Sequence, residues 1–517
     1  MSDPRDGGIA ILDYGSQYTQ LIARRIREQG VYSAVYSREA DAGEIMQHRP
    51  RGIVLSGGPA SVYKAGSPRL PRHLLTCGLP LLGICYGMQL LVQSRGGAVV
   101  SDGNREYGPA SIRHQARDPL LRGLPSPMQV WMSHGDHVAV LPVGFSSLAS
   151  SDNASDAIVG HPGQRHYGVQ FHPEVGHTPQ GGRLLRNFLF SICDCLADWS
   201  PQAFIDEAIA RICERVGDQQ VILGLSGGVD SSVTAVLLQR AIGEQLTAIF
   251  IDNGLLRRNE AQEVPGLFRE RQGGLQLRAV DAAEDFLNAL QGITEPELKR
   301  KTIGALFIDH FAREARALQG VRFLAQGTIY PDVIEGAAGS ADARSIKSHH
   351  NVGGLPADMQ FELIEPLRDL FKDEVRKVGT ALGLPDSMVW RQPFPGPGLA
   401  VRCLGPVTSP RLAILRAADA IFLEELAAAG LLRDETAQSF AVLLPVRSVG
   451  VQGDRRSWEE VIALRSVTTD DFMTADWSRL DHELLARVSR RIVNEVRGVN
   501  RVVYDITSKP PVTIEWE

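Results

Sequence analysis

The 517-residue sequence has few cysteines, few aromatic residues and no long apolar run. Its six cysteines form no C-x-x-C pair, which supports neither a zinc ribbon nor a thioredoxin-type redox motif. Because the cysteines are scattered, a reducing compartment is favoured, and we expect a cytoplasmic protein. The sequence contains no run of about 18 apolar residues, so we expect no membrane span. The polar start MSDPRDGG lacks the apolar core of a signal peptide.

Excess positive charge is also missing, since the formal net charge is −6. This balance argues against general electrostatic binding to nucleic acid or to an anionic membrane, and we expect neither as a partner. Apolar residues make up 44% of the chain and aromatic residues 6%, which predicts several aliphatic cores. With about 150 residues per domain as a prior, the length predicts about three domains.

Apolar strand-like runs alternate with amphipathic stretches over most of the chain, which is typical of parallel α/β sheets. A fresh helix start at Ser200-Pro201 marks the first boundary, and the Pro/Gly-rich stretch RQPFPGPGLAVRCLGP marks the second. The fold class predicted is therefore α/β, with two parallel-sheet domains followed by a small C-terminal α+β module. The predicted domains are residues 8–197, 198–391 and 392–517.

The stretch LLGICYGMQL places Cys85 between two glycines directly after an apolar run. G-x-C-x-G matches the nucleophile elbow, with cysteine in the place of serine. The flanking residues are small because strand and helix pass close together, and the amide of Tyr86 can donate to an oxyanion. The alternative is a buried cysteine in an ordinary strand-to-helix turn, so a catalytic role requires a base elsewhere in the chain.

The stretch GVQFHPE supplies such a base. His172 follows an apolar strand, and the carboxyl ends of strands are where open α/β sheets carry their sites. Glu174 can accept the second imidazole N–H and fix the tautomer. We therefore predict the catalytic set Cys85, His172 and Glu174, against the alternative of a turn with incidental polar residues.

The stretch LGLSGGVDSS is a glycine-rich loop between a strand and a helix. Its backbone amides at the helix start suit phosphate, but it carries no lysine and is not a Walker A motif. A purely structural glycine turn is the alternative. The cations that a polyphosphate requires must come from elsewhere: Lys372 lies near a helix start, and the long polar stretch around KSHHN reads as a lid or as a solvated loop.

The motifs around Cys85, His172 and the glycine-rich loop resemble those of two known families. GICYG followed by FHPE resembles the class I glutamine amidotransferases, which release ammonia from glutamine through a cysteine thioester. LSGGPAS and MSHGD match further segments of that family. The resemblance implies Gly58 as the second oxyanion donor beside Tyr86, with Gln89 and Asp136 at the glutamine pocket.

SGGVDSS resembles the loop of the N-type ATP pyrophosphatases, whose adenine-nucleotide α-hydrolase-like domain cleaves ATP to AMP and pyrophosphate. The resemblance implies Asp230 as the Mg²⁺ contact, with ATP as co-substrate. The predicted ATP-binding residues are Ser226, Gly227, Gly228, Val229, Asp230, Ser231 and Ser232 of this loop, with Lys347, His349, His350 and Lys372 as the candidate cations from elsewhere.

Over its full length the chain resembles the glutamine-hydrolysing GMP synthetases, through stretches such as RQPFPGPGLAVR, DFMTADW and TSKPPVTIEWE. In that family XMP is adenylated by ATP, and ammonia then displaces AMP to give GMP. The resemblance implies glutamine, ATP and XMP as small-molecule substrates and a homodimer formed through the C-terminal domain. The implied XMP contacts are Arg300, Lys509, Ile514 and Glu515.

Three alternative functions are open to a sequence with these motifs. A pyrophosphate-loop enzyme acting on tRNA would require a basic face and cysteines beside the loop, and the charge balance counts against it. A regulatory protein without activity would carry a broken triad or loop. Another amidotransferase ligase with a different acceptor is the remaining alternative, and the nucleotide products decide it.

Overall fold

The computed structural model describes residues 3–101, 105–114, 117–270, 275–333, 361–433, 435–452, 454–469, 472 and 474–517. The chain divides into two units, Met1–Glu207 and Ala208–Glu517. Across the described residues, none of the helices has both the length and the apolar character needed to span a membrane.

A nine-stranded sheet organises the first unit. The strands of this unit, including a separate β5–β8 pair, are β1 Ile9–Asp13, β2 Ser33–Ser37, β3 Gly52–Leu55, β4 Leu81–Ile84, β5 Ala98–Val100, β6 Glu106–His114, β7 Met128–His134, β8 His137–Val140, β9 Ser146–Ser150, β10 Ile158–His161 and β11 His166–Val169. The order in the large sheet is β2-β1-β3-β4-β11-β10-β9-β6-β7. The first five strands of this order, β2-β1-β3-β4-β11, pair in parallel, as predicted. The remaining pairs are antiparallel, an extension of the sheet that the sequence patterns did not predict.

Helices cover the parallel part of this sheet. They are α1 Thr19–Arg27, α2 Ala42–Met46, α3 Arg72–Thr76, α4 Tyr86–Ser94 and α5 Gly181–Asn187, with short 3-10 helices at Pro119–Leu121 and Pro162–Gln164 and a π-helical turn at Phe188–Ile192. Strands β3 and β4 are buried along their whole length, which explains their nearly continuous aliphatic sequence. Because β3, β4 and β11 are parallel neighbours, the segments that follow them meet at one edge of the sheet.

The second unit begins within helix α6, Pro201–Val216, which the Ser200 hydroxyl caps through the amide of Ala203. Its five-stranded sheet is parallel throughout, in the order β14-β13-β12-β15-β16. The strands are β12 Gln220–Gly224, β13 Leu246–Asp252, β14 Gln276–Asp281, β15 Val321–Ala325 and β16 Glu362–Ile364. The helices are α7 Val229–Ile242, α8 Glu260–Glu270, α9 Ala283–Ala289, α10 Pro296–Arg316, α11 Lys372–Ala381 and α12 Asp386–Val389, with a 3-10 turn at Gly243–Gln245.

The C-terminal part is α+β, as predicted. It contains a 3-10 turn at Gly398–Val401, helices α13 Ser409–Ala428 and α14 His482–Glu495, and strands β17 Gln438–Gln452, β18 Arg455–Thr468, β19 Asp476–Trp477 and β20 Val499–Asp505. Strands β17 and β18 form a long antiparallel hairpin, and β20 pairs with β18 in parallel.

One hydrophobic cluster connects this part with the five-stranded sheet. It contains Ile222 and Ile249 from the sheet together with Leu443, Ile462 and Ile492 from the C-terminal elements. The packing is therefore continuous from β12 to the C-terminal helices. The finer division at residue 391 stays a prediction.

Candidate active sites

Cys85 occupies the sharp turn between β4 and α4. Its backbone lies at φ 50° and ψ −106°, and α4 begins at the next residue, Tyr86. A non-glycine residue in this region is strained, and such strain is concentrated at functional sites. A Cβ added at Gly83 would lie 2.5 Å from the Gly87 carbonyl, and one at Gly87 would lie 2.3 Å from the Leu55 carbonyl oxygen. Both glycines of the motif are thus fixed by the close approach that the sequence predicted.

His172 and Glu174 form a buried pair at the end of β11. The Nδ1 atom of His172 lies 2.7 Å from Oε1 of Glu174, and the two residues are 4% and 1% exposed. The backbone at His172 is fixed on both sides, since its amide donates to the Trp131 carbonyl and its carbonyl accepts from the Thr178 hydroxyl. This arrangement leaves the second ring nitrogen for Cys85.

The imidazole of His172 has a strongly altered pKa. Burial alone lowers the pKa, but hydrogen bonds with Cys85 and Glu174 and the negative charges of both groups outweigh burial and raise it to about 10. The Oε2 atom of Glu174 is buried, and among the described residues it has no hydrogen-bond partner. The carboxylate therefore acts on the imidazole through Oε1, and the ring is held as a protonated partner of the sulfur.

The side chains predicted for the glutamine pocket lie together beside the sulfur. The Nε2 atom of Gln89 donates to the Asp136 carbonyl at 2.9 Å, and an Asp136 carboxylate oxygen accepts from the Tyr63 hydroxyl at 3.0 Å. Gln170 completes the group: its Nε2 lies 3.8 Å from Sγ of Cys85, and its Oε1 accepts from Gln89 at 3.3 Å. Sequence reasoning missed Gln170, although it precedes His172 by two residues and so shares its side of the extended segment.

Gly58 and Tyr86, the predicted oxyanion donors, are neighbours. A Cβ at Gly58 would lie 3.3 Å from the Tyr86 ring and 2.6 Å from the Tyr14 carbonyl oxygen, so only glycine fits. A Cβ at the preceding Gly57 would lie 3.3 Å from Cε1 of His172. The glycine turn after β3 is therefore in contact with both the elbow and the base.

The glycine-rich loop of the second unit follows the central strand β12. Gly227 has φ 74°, Gly228 caps α7, and Val229 and Asp230 open the helix. The hydroxyls of Ser226 and Ser231 lie 3.0 Å apart across the loop. Ser232 is fully buried, and its hydroxyl has no hydrogen-bond partner among the described residues.

Asp230, the predicted Mg²⁺ contact, has one paired and, in the part of the chain that the structure describes, one unpaired carboxylate oxygen. Its Oδ2 pairs with Nζ of Lys372, the first residue of α11, at 2.5 Å. Its Oδ1 is buried and has no hydrogen-bond partner within the described residues. In those residues no group of three or more His, Cys, Asp or Glu side chains is arranged to hold a metal. The donor set fits Mg²⁺ bound through one carboxylate and substrate phosphates rather than a protein cage.

Two further cations lie near the loop, and sequence reasoning missed both. Arg391 donates to the Gly227 carbonyl at 2.9 Å and pairs with Glu260. Arg376 follows Lys372 by one helical turn on the same face of α11. Burial lowers the pKa of Arg376 overall, although the charge of Asp230 acts in the opposite direction. The spacing on α11 was a signal that could have been used. The predicted lid residues Lys347, His349 and His350 lie outside the described residues.

The predicted XMP contacts near the C-terminus are held by side chains from elsewhere. Arg402 donates to both carboxylate oxygens of Glu515, at 2.8 and 3.1 Å. Ile514 is buried in a small apolar cluster with Phe440, and Nζ of Lys509 donates to the Phe472 carbonyl. Arg300 is exposed on α10, and its ion pair is with Glu297 on the same helix, at 3.8 Å.

The His172–Glu174 pair predicts a titration behaviour. Because Glu174→Gln removes the charge and keeps an acceptor, we expect the pKa of His172 to fall from about 10 toward its ordinary value near 6.5. The raised pKa contributes stability that is full below pH 6.5 and is lost as the pH rises through about 10. The variant should therefore lose the most stability at acid and neutral pH. The measurement is a ¹⁵N NMR titration of the imidazole, with thermal unfolding at each pH.

Glu44→Gln, on an exposed position of α2, serves as the matched control and should leave the titration unchanged. An unchanged His172 titration in Glu174→Gln would show that the carboxylate charge does not hold the proton.

Three family models match the chain. They are "Glutamine amidotransferase class-I" over residues 10–192, "NAD synthase" over residues 203–272 and "GMP synthase C terminal domain" over residues 424–516. The first match contains Cys85, His172 and Glu174, the second contains the glycine-rich loop, and the third contains Lys509, Ile514 and Glu515.

Curated relatives match over the whole length. GMP synthase (glutamine-hydrolyzing) of Thermomicrobium roseum is 56% identical, over 100% of this chain and 98% of the relative. The enzyme of the same name from Vibrio vulnificus is 53% identical, over 99% of each chain. That of Acinetobacter baylyi is 56% identical, over 99% of this chain and 94% of the relative. The chain therefore belongs to the family of glutamine-hydrolyzing GMP synthases.

Proposed function

We propose that the protein converts XMP, ATP, glutamine and water into GMP, AMP, pyrophosphate and glutamate, as a ligase that takes its nitrogen from glutamine. The observation that carries this proposal is the presence, in one chain, of a buried Cys85–His172–Glu174 group and a lysine-free pyrophosphate loop. Full-length relatives named GMP synthase support the choice of acceptor. We assign residues 8–197 to glutamine hydrolysis, 198–391 to ATP use and 392–517 to dimerisation and XMP binding.

In the first reaction the Cys85 sulfur attacks the side-chain carbonyl carbon of glutamine. The amides of Gly58 and Tyr86 donate to the oxyanion, which stabilises the tetrahedral species. His172 gives its proton to the leaving nitrogen, so that ammonia departs and a thioester remains on Cys85. His172 then takes a proton from water, which attacks the thioester and releases glutamate. Glu174 keeps the imidazole in one tautomer through both steps.

In the second reaction the 2-oxygen of XMP attacks the α-phosphorus of ATP. Pyrophosphate leaves, and the loop amides with Ser226 and Ser231 receive it. Lys372 then neutralises its charge. Mg²⁺, held by Asp230 and the phosphates, would supply further charge neutralisation when bound. Ammonia then attacks C2 of adenylyl-XMP, AMP leaves, and GMP is formed. Arg300, Lys509, Ile514 and Glu515 are the proposed XMP contacts.

We also propose a homodimer formed through the C-terminal hairpin. Val449 and Val451 are 54% and 75% exposed on β17, and Trp458 of β18, directly opposite Val449, is 61% exposed. Val449 and Val451 share one face of the hairpin because they are two residues apart on one strand. Trp458 lies on the same face because it is the cross-strand partner of Val449. Such an apolar stripe on a surface hairpin suits burial against a second copy of the chain.

Cys85→Ala should remove synthesis from glutamine and keep synthesis from ammonium. The substitution deletes the nucleophile, and loss of a nucleophile costs on the order of 10⁶ in kcat. The measurement is GMP, AMP and pyrophosphate formed from XMP, ATP and Mg²⁺ with either nitrogen source. Cys77→Ala, a cysteine of the same unit, is the control with both activities expected.

A folded Cys85→Ala protein that had lost both activities would contradict two separate sites. AMP and pyrophosphate without GMP in the unsubstituted enzyme would keep the pyrophosphate loop and indicate another acceptor, whereas ADP would contradict the assignment of the loop.

Asp230→Asn should abolish synthesis from both nitrogen sources and uncouple pyrophosphate binding from Mg²⁺. Since the variant frees Lys372 from its ion pair, we expect pyrophosphate alone to bind at least as tightly as before. Isothermal titration with and without Mg²⁺ separates the two effects. Asp218→Asn, on the exposed turn before β12, is the control. A preserved Mg²⁺ effect in Asp230→Asn would remove this carboxylate from the metal role.

The dimer proposal predicts that Val451→Glu with Trp458→Glu lowers the association state. Two carboxylates on the apolar stripe would have to be desolvated in the interface, which is strongly unfavourable. Sedimentation equilibrium should give a dimer for the unsubstituted chain and a monomer for the variant. Val143→Glu, at a position 99% exposed in the first unit, should remain dimeric. A monomeric unsubstituted chain, or a dimeric double variant, would contradict the proposal.

A further inference from the structure

The last residues of the chain are held by three fully buried cations. Lys299 of α10, Arg402 after the 3-10 turn and Arg465 of β18 are each 0% exposed. All three donate to the segment 513–517, which forms neither helix nor strand. Buried cations are costly unless they are paired and hydrogen-bonded, so these contacts are a built feature of the fold and not incidental surface pairs.

Lys299 holds the final residue. Its Nζ lies 2.5 Å from Oε2 of Glu517 and 3.2 and 3.0 Å from the carbonyl oxygens of Ala400 and Cys403. An ammonium has three donors and each has a partner here. The Glu517 carboxylate supplies the negative charge among these three acceptors, so the ammonium and the end of the chain stabilise each other in the buried position.

Arg402 and Arg465 hold the residues just before it. Arg402 binds Glu515 through two nitrogens, and its guanidinium lies 4.1 Å from the centre of the Phe440 ring. Arg465 donates to the carbonyl oxygens of Thr513 and Ile514 at 3.4 Å and pairs with Asp505 at 3.2 Å. Backbone, carboxylate and chain end are therefore fixed by three different elements.

We propose that the Lys299–Glu517 pair is a latch that positions the C-terminal segment for XMP. The inference rests on the proposed function, in which Ile514 and Glu515 contact XMP. Lys299 immediately precedes Arg300 on α10, so the same latch fixes the segment to the helix that carries another proposed contact. Neither partner of the latch is a proposed XMP contact, which makes both positioning residues and separates their role from binding itself.

The test is steady-state kinetics of Glu517→Gln and Lys299→Met with ammonium as the nitrogen source. Misplacement of a binding segment costs up to about a hundredfold. We expect kcat/KM for XMP to fall by about tenfold to a hundredfold, mainly through a higher KM. The KM for ATP and the rate of glutamine hydrolysis should stay unchanged. Hydrogen exchange of the amides in residues 513–517 should become faster in both variants.

Glu483→Gln, on the exposed first turn of α14, is the matched control and should behave as the unsubstituted enzyme. Lys299→Met with Glu517→Met removes both charges together, and we expect it to recover part of the XMP affinity because an apolar pair replaces a buried charge. An unchanged KM for XMP in a folded Glu517→Gln variant would overturn the latch. An unsubstituted enzyme that does not use XMP would contradict the proposed function and, with it, this role of the latch.

Discussion

The close approach of backbone segments at a few glycines is the constraint on which the first site depends. Strand β4 turns into α4 within one residue, and there is no room for a side chain at Gly83 or Gly87. That turn holds Cys85 in its strained conformation, and α4 begins at the next residue. Gly58 likewise has no room for a side chain between the Tyr14 carbonyl and the Tyr86 ring. The proposed nucleophile and both proposed oxyanion donors are therefore fixed by close packing at glycines, before any side-chain hydrogen bond is considered.

Pairing of opposite charges provides the second level of organisation. At the first site Cys85 and the Glu174 carboxylate together raise the pKa of His172, and at the loop Lys372 engages one oxygen of Asp230. The charges differ in exposure, since the histidine pair is buried whereas Lys372 is 41% exposed. This difference suits their proposed tasks: the imidazole keeps a fixed partner through the reaction, whereas the lysine can exchange the carboxylate for a phosphate.

The parts that sequence predicted are those in which chemistry and spacing are local. Cys85 lies two residues from each of its glycines, and His172 lies two residues from Glu174. The strand that precedes each group fixes its position in the sheet without further information. Arg391 and Arg402 act through contacts with residues 164 and 113 positions away. Periodicity does not encode such distances, so these residues could not be assigned. The antiparallel half of the first sheet was missed because its short strands lack a distinctive pattern.

The proposed function requires that nitrogen released at Cys85 replaces the 2-oxygen of XMP after adenylation. One mass-spectrometric experiment follows both atoms, using glutamine labelled with ¹⁵N in its amide and XMP labelled with ¹⁸O at position 2, without added ammonium. The proposed function predicts ¹⁵N in the amine of GMP and ¹⁸O in the phosphate of AMP, with unlabelled pyrophosphate. AMP without ¹⁸O, or GMP without ¹⁵N, would contradict it.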